Sequence, residues 1–541
     1  MAISDAELEL SYANAAERVR RAAYAVLKNL GPGTEPVAIA LDHGARFPLI
    51  MMAVLAAGRA YVPLDVDFPI ERNAHILSHS GACALIADSK TTEHLRNRLP
   101  DNLQTLTPDD LWSGRGEPTL PDILPDAVAY IIYTSGSTGA PKGIVQNQRN
   151  LLHDVMQYTQ AIHVNFEDRM TLLYSPSVNG AIRDIYGSLL NGATLYAFSL
   201  KKLGVSALCA AFEAAGITIY HSVPTIFRQI CTALQQGTVR LDQVRLAYLA
   251  GDRLDPDDVI AFRRNFPSDA LILTGIGSTE NATLYRHWFI AKDTAIDGSK
   301  VPVGRALPDR HVRLIDDHGN EVRKGEVGEI EVTSRYMALG YHKRSDGFGV
   351  SSDDPLARVF RTGDLGRLRP DGLLEFRGRK DDQIKLRGVR IEPAFVEAEL
   401  RTLSEVVQGA IVVRRCGTVA TALVAYWVAN PGHEQAQIRA LLAERLPEVM
   451  VPSQAVRVPS LPLLDNFKIN RHALQCWDQL LQVKIRRERP AADPVTRQIQ
   501  IGFQDILGRS IAENDMLTSL EPDSLQWLQL QLFSRSSRDG Q

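Results

Sequence analysis

Eleven consecutive residues, Tyr133-Thr-Ser-Gly-Ser-Thr-Gly-Ala-Pro-Lys-Gly143, bring together three glycines, four Ser and Thr hydroxyls and one lysine. Glycines let a backbone close tightly around an anion, hydroxyls and amide N–H groups donate to its oxygens, and an ammonium adds charge. The ligand that suits this set is a polyphosphate. The pattern is not G-x-x-x-x-G-K-[ST], because Pro141 precedes Lys142 and Gly143 follows it. Three further runs set a carboxylate or a lysine among turn-forming residues: Gly277-Ser-Thr-Glu280, Phe360-Arg-Thr-Gly-Asp364 and Leu461-Pro-Leu-Leu-Asp-Asn-Phe-Lys-Ile-Asn-Arg471. A carboxylate suits a hard cation such as Mg2+. An ionised Asp is acceptor-only, which matches a diol.

These groups need a scaffold. The apolar run Ala127-Val-Ala-Tyr-Ile-Ile132 reads as a buried strand that pins one end of the loop. Short β-rich runs at Val37–Leu41, Ala84–Ala87, Thr171–Tyr174, Ile217–Tyr220, Val244–Leu249 and Leu271–Leu273 alternate with helical patterns. That alternation predicts βαβ units, hence an α/β fold of mostly parallel sheets covered on both faces. From about Val301 to Phe376 short strands with Gly and Pro punctuation predict a small β-rich subdomain. The large N-terminal part is expected over residues 1–380, followed by a hinged α+β C-terminal subdomain over 381–475. The charged, Pro-rich stretch 476–492 reads as a linker, and 493–541 as a helical tail.

Composition narrows the function classes. A chain of 541 residues needs more than one core. Hydrophobic content of 45%, charged content of 23% and a formal net charge of −3 describe an ordinary globular chain, with no basic excess for nucleic acid or an anionic membrane surface. No apolar run reaches the length of a membrane span. The five cysteines are scattered without C-x-x-C spacing and, with no signal-peptide pattern at the N-terminus, the expected location is cytoplasmic.

In this order, the motifs resemble those of the adenylate-forming enzymes: acyl-CoA synthetases, luciferases and the adenylation domains of nonribosomal peptide synthetases. The resemblance covers roughly residues 8 to 475, beginning with Leu10-Ser-Tyr12. Leu55-Ala-Ala-Gly-Arg-Ala-Tyr-Val-Pro-Leu-Asp65 lies closer to the peptide-synthetase branch. Such enzymes convert a carboxylic acid and ATP into an acyl-adenylate and pyrophosphate. Family members carry a short segment before the first of these motifs, and its absence here leads us to expect a trimmed N-terminus.

The resemblance implies roles residue by residue. Thr134, Ser135, Gly136, Ser137, Thr138, Gly139 and Lys142 would attend the ATP phosphates, with Thr134 and Lys142 counted among the catalytic groups. Thr279 would face the α-phosphate and Glu280 would bind Mg2+. Asp364 would accept from the ribose hydroxyls, and Arg379 would orient ribose or phosphate. Lys468 falls on the catalytic lysine, whose ammonium offsets charge between carboxylate and phosphate. Asp381 falls on the hinge about which the small domain rotates. The sequence departs from the pattern at Phe467 and Asn470, and at Ile276, next to Gly275, where an aromatic ring would stack on adenine. An aliphatic side chain lacks that stacking, which is expected to lower ATP affinity.

The acyl pocket aligns with Asn179, Gly180, Arg183, His221, Tyr248, Ala250, Gly275, Thr283 and Leu284. Amino-acid-activating relatives carry an Asp where this chain has Asn179. A neutral amide cannot offset a buried ammonium, and losing such a charged partner costs about 3–5 kcal/mol. The substrate is therefore expected not to be a standard α-amino acid; relatives that activate aryl acids carry Asn at the matching place. Arg183 reads either as a bidentate partner for a second carboxylate or phenolate, or as a surface side chain. His221 reads either as a substrate contact or as a structural histidine.

The tail after Asp493 resembles the start of an acyl carrier domain, and Leu520-Glu-Pro-Asp-Ser-Leu525 resembles its signature. Ser524 would then take 4′-phosphopantetheine at a helix N-terminus. The tail is too short for a whole carrier, so a cut or degenerate carrier domain is expected. The implied cofactors are ATP, Mg2+ and 4′-phosphopantetheine. The implied partners are a small carboxylic acid and a carrier domain in cis or in trans, with no nucleic acid and no membrane. Three readings stay open: an adenylation domain loading a carrier thiol, an acyl-CoA ligase using free CoA, and a catalytically quiet scaffold.

Overall fold

The computed structural model describes residues 1–100, 103–114, 119–134, 141–296, 300–380, 384–416, 419–430, 432, 437–462, 469, 471 and 473–479. Ser135, Gly136, Ser137, Thr138, Gly139, Asp381, Lys468 and Ser524 lie outside the described residues, as do the linker from residue 480 on and the whole tail. Met1–Thr134 with Pro141–Asp381 makes one compact unit, and the described residues from 384 on make another.

The first unit is mixed α/β with two large sheets. Nine described strands run in the order Arg305–Ala306, Leu284–Ile290, Leu271–Gly277, Leu246–Leu249, Ile219–Ser222, Arg169–Leu172, Thr194–Ala197, Ile3–Ser4 and Glu9–Leu10. The six from Leu271–Gly277 to Ile3–Ser4 are parallel to one another. A second sheet orders Gly340–Tyr341, Lys142–Asn147, Val128–Thr134, Tyr61–Leu64, Val37–Ala40, Ala84–Ala87 and Gln104–Leu106, and its last five strands are parallel.

The period-2 geometry of a strand splits Val37–Ala40 between two cores. Val37 and Ile39 join a large apolar cluster that also contains Leu172, Leu195, Ile219, Leu246 and Leu273 of the nine-stranded sheet. Ala38 and Ala40 point the other way, into a cluster with Val62, Ile76, Leu85 and Ile131. Strands buried on both faces read as continuous apolar runs, which is why Ala84-Leu-Ile-Ala87 stands out in the sequence.

Two helices pack in the apolar cluster that joins the two sheets, and they carry Asp154, Asn179 and Arg183. Gln148–Ile162 is capped by Asn147, whose side chain accepts from Asn150 N at 2.9 Å, and it ends where His163 turns left-handed. Its buried stripe of Asn150, Leu151, Asp154, Val155, Tyr158 and Ile162 has helical spacing, with a carboxylate set among apolar neighbours. Gly180–Leu189 is buried from Ala181 onward. It packs so close to the first helix that a Cβ at Gly187 would lie 2.9 Å from the Tyr158 ring.

The β-rich part is a five-stranded antiparallel sheet centred on Val327–Ser334 and Arg358–Leu368. In the second unit, Ile384–Leu386 and Val389–Ile391 form a hairpin whose two turn residues, Arg387 and Gly388, both have positive φ, as a tight hairpin requires. Helix Pro393–Arg401 opens on a proline at its first turn and packs Val396 and Leu400 against Trp427 and Leu442. Arg414 and Tyr426 both meet the Asp478 carboxylate, at 2.8 Å each, which ties helical residues 473–479 to the three-stranded sheet.

Candidate active site

Thr134 and Lys142 are cross-strand partners at the ends of Val128–Thr134 and Lys142–Asn147. The antiparallel ladder thus holds both ends of the Gly-rich run opposite each other. One strand further out, Tyr341 pairs with Ile144. The Tyr341 hydroxyl donates to the Glu280 carboxylate at 3.0 Å, and the Lys142 ammonium lies 5.8 Å from the centre of its ring. A single tyrosine therefore neighbours both the lysine that ends the loop and the carboxylate proposed for Mg2+.

The turn carrying Glu280 is pinned from several sides. Gln146 Nε2 donates to Thr279 O at 3.0 Å, and Ala338 N donates to Glu280 O at 2.9 Å. Before it, Gly277 leaves no room for a side chain, since a Cβ there would lie 2.1 Å from Thr283 O. Glu280 is buried. Ile276 lies among Tyr285, Met337, Phe360 and Leu374, inside the apolar core of the β-rich part.

Asp364 and Arg379 are cross-strand partners on Arg358–Leu368 and Leu374–Arg379. Arg379 Nη1 donates to Asp364 Oδ1 at 2.5 Å and Nη2 donates to Thr362 O at 3.0 Å. The Thr362 hydroxyl accepts from Asp364 N at 3.1 Å and donates to Ile330 O. The two residues assigned to the ribose are thus bound to each other, and one threonine fixes both.

The residues expected to line an acyl pocket gather where the parallel strands end and helix Gly180–Leu189 begins. This is the crevice beyond the carboxyl ends of the strands, where doubly wound sheets bind ligands. His221, Tyr248 and Leu273 are in register across three neighbouring strands, with Ala250 and Gly275 two residues beyond Tyr248 and Leu273. Asn179 opens the helix. Its Nδ2 donates to Ala282 O, and its Oδ1 accepts from the Tyr130 hydroxyl at 3.4 Å.

Arg183 is neither a surface side chain nor an unengaged cation. It is 2% exposed, and its Nε and Nη2 donate to both oxygens of Asp154, the closest at 2.7 Å. Burial opposes each charge, but each pulls the other toward its ionised form. The guanidinium is held above its ordinary range and the carboxyl below its own. Asp154 also accepts from the Thr283 hydroxyl, and Arg183 Nη1 lies 3.4 Å from the Tyr248 hydroxyl. Burial, reinforced by Arg183, pushes the neighbouring His287 down to about 4.

His221 stacks on Tyr248, with ring centres 3.8 Å apart, and packs against Tyr174 at 4.7 Å. Its Nδ1 meets Asp184 at 2.8 and 2.9 Å. Tyr174 spans the pocket wall: its ring lies 3.4 Å from where a Gly180 Cβ would stand, and its hydroxyl donates to Ala250 O at 3.3 Å.

Four neighbours of the site escaped the sequence reading: Asp154, Tyr174, Asp184 and Tyr341. Asp154 left a signal, a carboxylate on the apolar stripe of an amphipathic helix. Asp184 is also a charge on a helix of mostly apolar residues. Tyr174 and Tyr341 left none, because the groups that engage them, Ala250 and His221 for the first and Glu280 and Lys142 for the second, are distant in sequence.

Residues 1–342 match the family described as AMP-binding enzyme. A plipastatin synthase polypeptide of Bacillus subtilis (strain 168) is 32% identical over an alignment of 513 residues that covers 93% of this chain and 20% of that relative. The chain thus spans a fifth of that relative's length. Among solved structures, an NRPS protein containing adenylation and PCP domains superposes with a TM-score of 0.80 at 24% identity, covering 99% of this chain and 89% of that one. An o-succinylbenzoate CoA synthetase from Bacillus subtilis gives 0.75 at 21%, covering 88% and 95%. At these identities the two likenesses establish the fold. The family match extends over more than half of the 541 residues, and the chain belongs to the AMP-binding enzyme family.

Proposed function

We propose that the protein activates a carboxylic acid with ATP, forming an acyl-adenylate and releasing pyrophosphate, and then passes the acyl group to a phosphopantetheine thiol. The observation that carries this reading is Tyr341, which neighbours both Lys142 and Glu280. It draws the end of the polyphosphate loop and a buried carboxylate toward one point. Among the described residues no three His, Cys, Asp or Glu side chains form a metal cage. One carboxylate is what Mg2+ needs when substrate phosphates supply the other oxygens. Glu280 would hold the ion, which would neutralise phosphate charge. Thr134 and Lys142 would orient the phosphates, and Asp364 with Arg379 the ribose. Lys468 would offset charge at the reacting carboxylate.

The acid is one without an α-ammonium. Supporting this, the amide of Asn179 is already engaged by Ala282 O and Tyr130. The ion pair of Arg183 with Asp154 leaves neither charge unmatched. The acceptor thiol belongs to a carrier domain, with Ser524 as its attachment point or with the carrier supplied in trans. Free CoA is the rival acceptor, since a CoA synthetase shares the fold.

Substrate-dependent ATP–pyrophosphate exchange with a panel of aryl, keto, aliphatic and amino acids tests the reading. Exchange is expected with a non-amino acid. Lys468→Ala should lower it by about a hundredfold or more, the scale of a lost transition-state donor, while ATP binding stays within a few-fold. Absence of exchange in folded protein, or turnover preserved in Lys468→Ala, would overturn it. Thioester formation with CoA in preference to a phosphopantetheinylated carrier would replace the carrier by CoA.

A further inference from the structure

His221 and Asp184 form a buried pair whose exposures are 2% and 0%. Both carboxylate oxygens of Asp184 lie within hydrogen-bond distance of Nδ1. The backbone N–H of His221 donates to the Thr171 hydroxyl at 3.0 Å, so the residue is also fixed along the chain. Tyr248 and Tyr174 pack on the ring. What remains is Nε2. It makes no hydrogen bond to any described residue, yet it is not among the polar atoms sealed off without a partner, as Nδ1 of His153 is.

Asp184 decides how Nε2 is presented. If the proton of the contact lies on the carboxyl, or the ring is an imidazolium, Nε2 carries a hydrogen; if an ionised Asp184 accepts from Nδ1–H of a neutral ring, Nε2 offers its lone pair. In every arrangement the carboxylate fixes the plane of the ring and leaves Nε2 as its one hydrogen-bonding atom without a partner among the described residues.

We propose that the acid activated here carries, besides its carboxylate, an oxygen that hydrogen-bonds His221 Nε2, such as a phenolic, hydroxyl or keto oxygen. Asp184 acts as a positioning residue for that ring nitrogen. The proposal rests on the adenylation reading for the identity of the pocket and narrows the substrate class within it. A buried polar atom built to meet an oxygen discriminates more strongly than an apolar wall does, because the analogue without the oxygen leaves that atom unpaired.

The test uses acid pairs of one skeleton with and without the oxygen: hydroxybenzoates against benzoate, 2-oxo acids against their deoxy acids. Each is measured on the full chain by calorimetric binding and by ATP–pyrophosphate exchange. The oxygen-bearing member of at least one pair is expected to be favoured about tenfold or more, as for a buried hydrogen bond left unmade. His221→Leu should collapse that ratio to within about threefold, while His221→Gln, which keeps an N–H, should retain part of it. Asp184→Asn should raise KM for the oxygen-bearing acid more than it lowers kcat, with the thermal midpoint of every variant confirming a folded chain.

Equal or reversed preference across all pairs overturns the proposal, as does an unchanged ratio in folded His221→Leu. Binding preference without exchange would sink the adenylation reading and leave only the contact of an acid's oxygen with His221 standing. Exchange without preference would sink this one alone. Neither binding nor exchange, from folded protein, would sink both.

Discussion

Asp154 and Arg183 sit on different helices and meet through three hydrogen bonds of 2.7, 3.0 and 3.3 Å, with both side chains no more than 4% exposed. Removing one partner strands the other in the interior. Asp154→Asn is expected to cost about 3–5 kcal/mol, whereas the double change Asp154→Leu with Arg183→Met should cost less, because it leaves no unpaired charge. Denaturant midpoints of the three proteins measure the difference. A double variant as damaged as the single one would mean that the pair is held for its shape, not its charge balance.

Asn179 donates its amide hydrogens to the Ala282 carbonyl. Asp at that position cannot donate and turns a carboxylate toward a carbonyl oxygen. Asn179→Asp should lower stability by about 1–3 kcal/mol, the scale of a buried group left unsatisfied. The new carboxylate would also seek an ammonium. L-α-amino acids should therefore raise the thermal midpoint of Asn179→Asp and leave that of the parent unchanged. A parent protein stabilised by them would show that the amide tolerates an ammonium after all.

The sequence spoke clearly where one local rule decides the outcome. Ala84-Leu-Ile-Ala87 is a strand within the residues read from its apolar run, and helix Pro393–Arg401 starts at its proline. The apolar run Ala127–Ile132 is a strand from Val128 on, and the ladder with Lys142 extends it to Thr134. Site geometry was less legible, because its partners are non-local. Nothing near Arg183 in sequence announces Asp154, 29 residues away, and nothing near Glu280 announces Tyr341, 61 residues away. Ile276 is a similar case: motif comparison marks it as a wall for adenine, but only the packing of the β-rich part reveals the apolar core that encloses it.

The pairing of Asp364 with Arg379 leads to a prediction about nucleotide choice. The arginine occupies Oδ1 and is itself braced on Thr362 O. If Asp364 receives the ribose hydroxyls, Asp364→Asn should raise KM for ATP by about tenfold, the scale of a lost charge-assisted hydrogen bond. It should also erase any preference for ATP over 2′-deoxy-ATP, since a site that reads a hydroxyl loses its selectivity with its acceptor. Exchange kinetics with both nucleotides decide it. A variant that still discriminates would move ribose recognition away from Asp364.

Several histidines tie stability to pH. His43, His75, His79, His153, His287 and His342 are all held below their ordinary value, in each case first by burial. His79 and His342 sit beside the two ends of the Gly-rich run: Nδ1 of His79 lies 2.9 Å from the Tyr133 hydroxyl, and His342 N donates to Gly143 O. Arg72 beside His75, and Lys343 beside His79 and His342, add positive charge around them. The folded chain keeps these rings neutral, while the unfolded chain titrates near 6.5. Below that pH the unfolded state binds more protons, so stability is complete above about 6.5 and falls as pH drops toward the folded values, about 4 for His287. Buried carboxylates held low, such as Asp154 and Asp168, lose their contribution only below their ordinary 3.8, in a separate window. Thermal midpoints should therefore be flat from pH 8 to 7 and decline between 6.5 and 4, and His287→Asn should soften the decline at its acid end. A midpoint constant down to pH 4.5 would contradict the assignment of these rings as neutral in the fold.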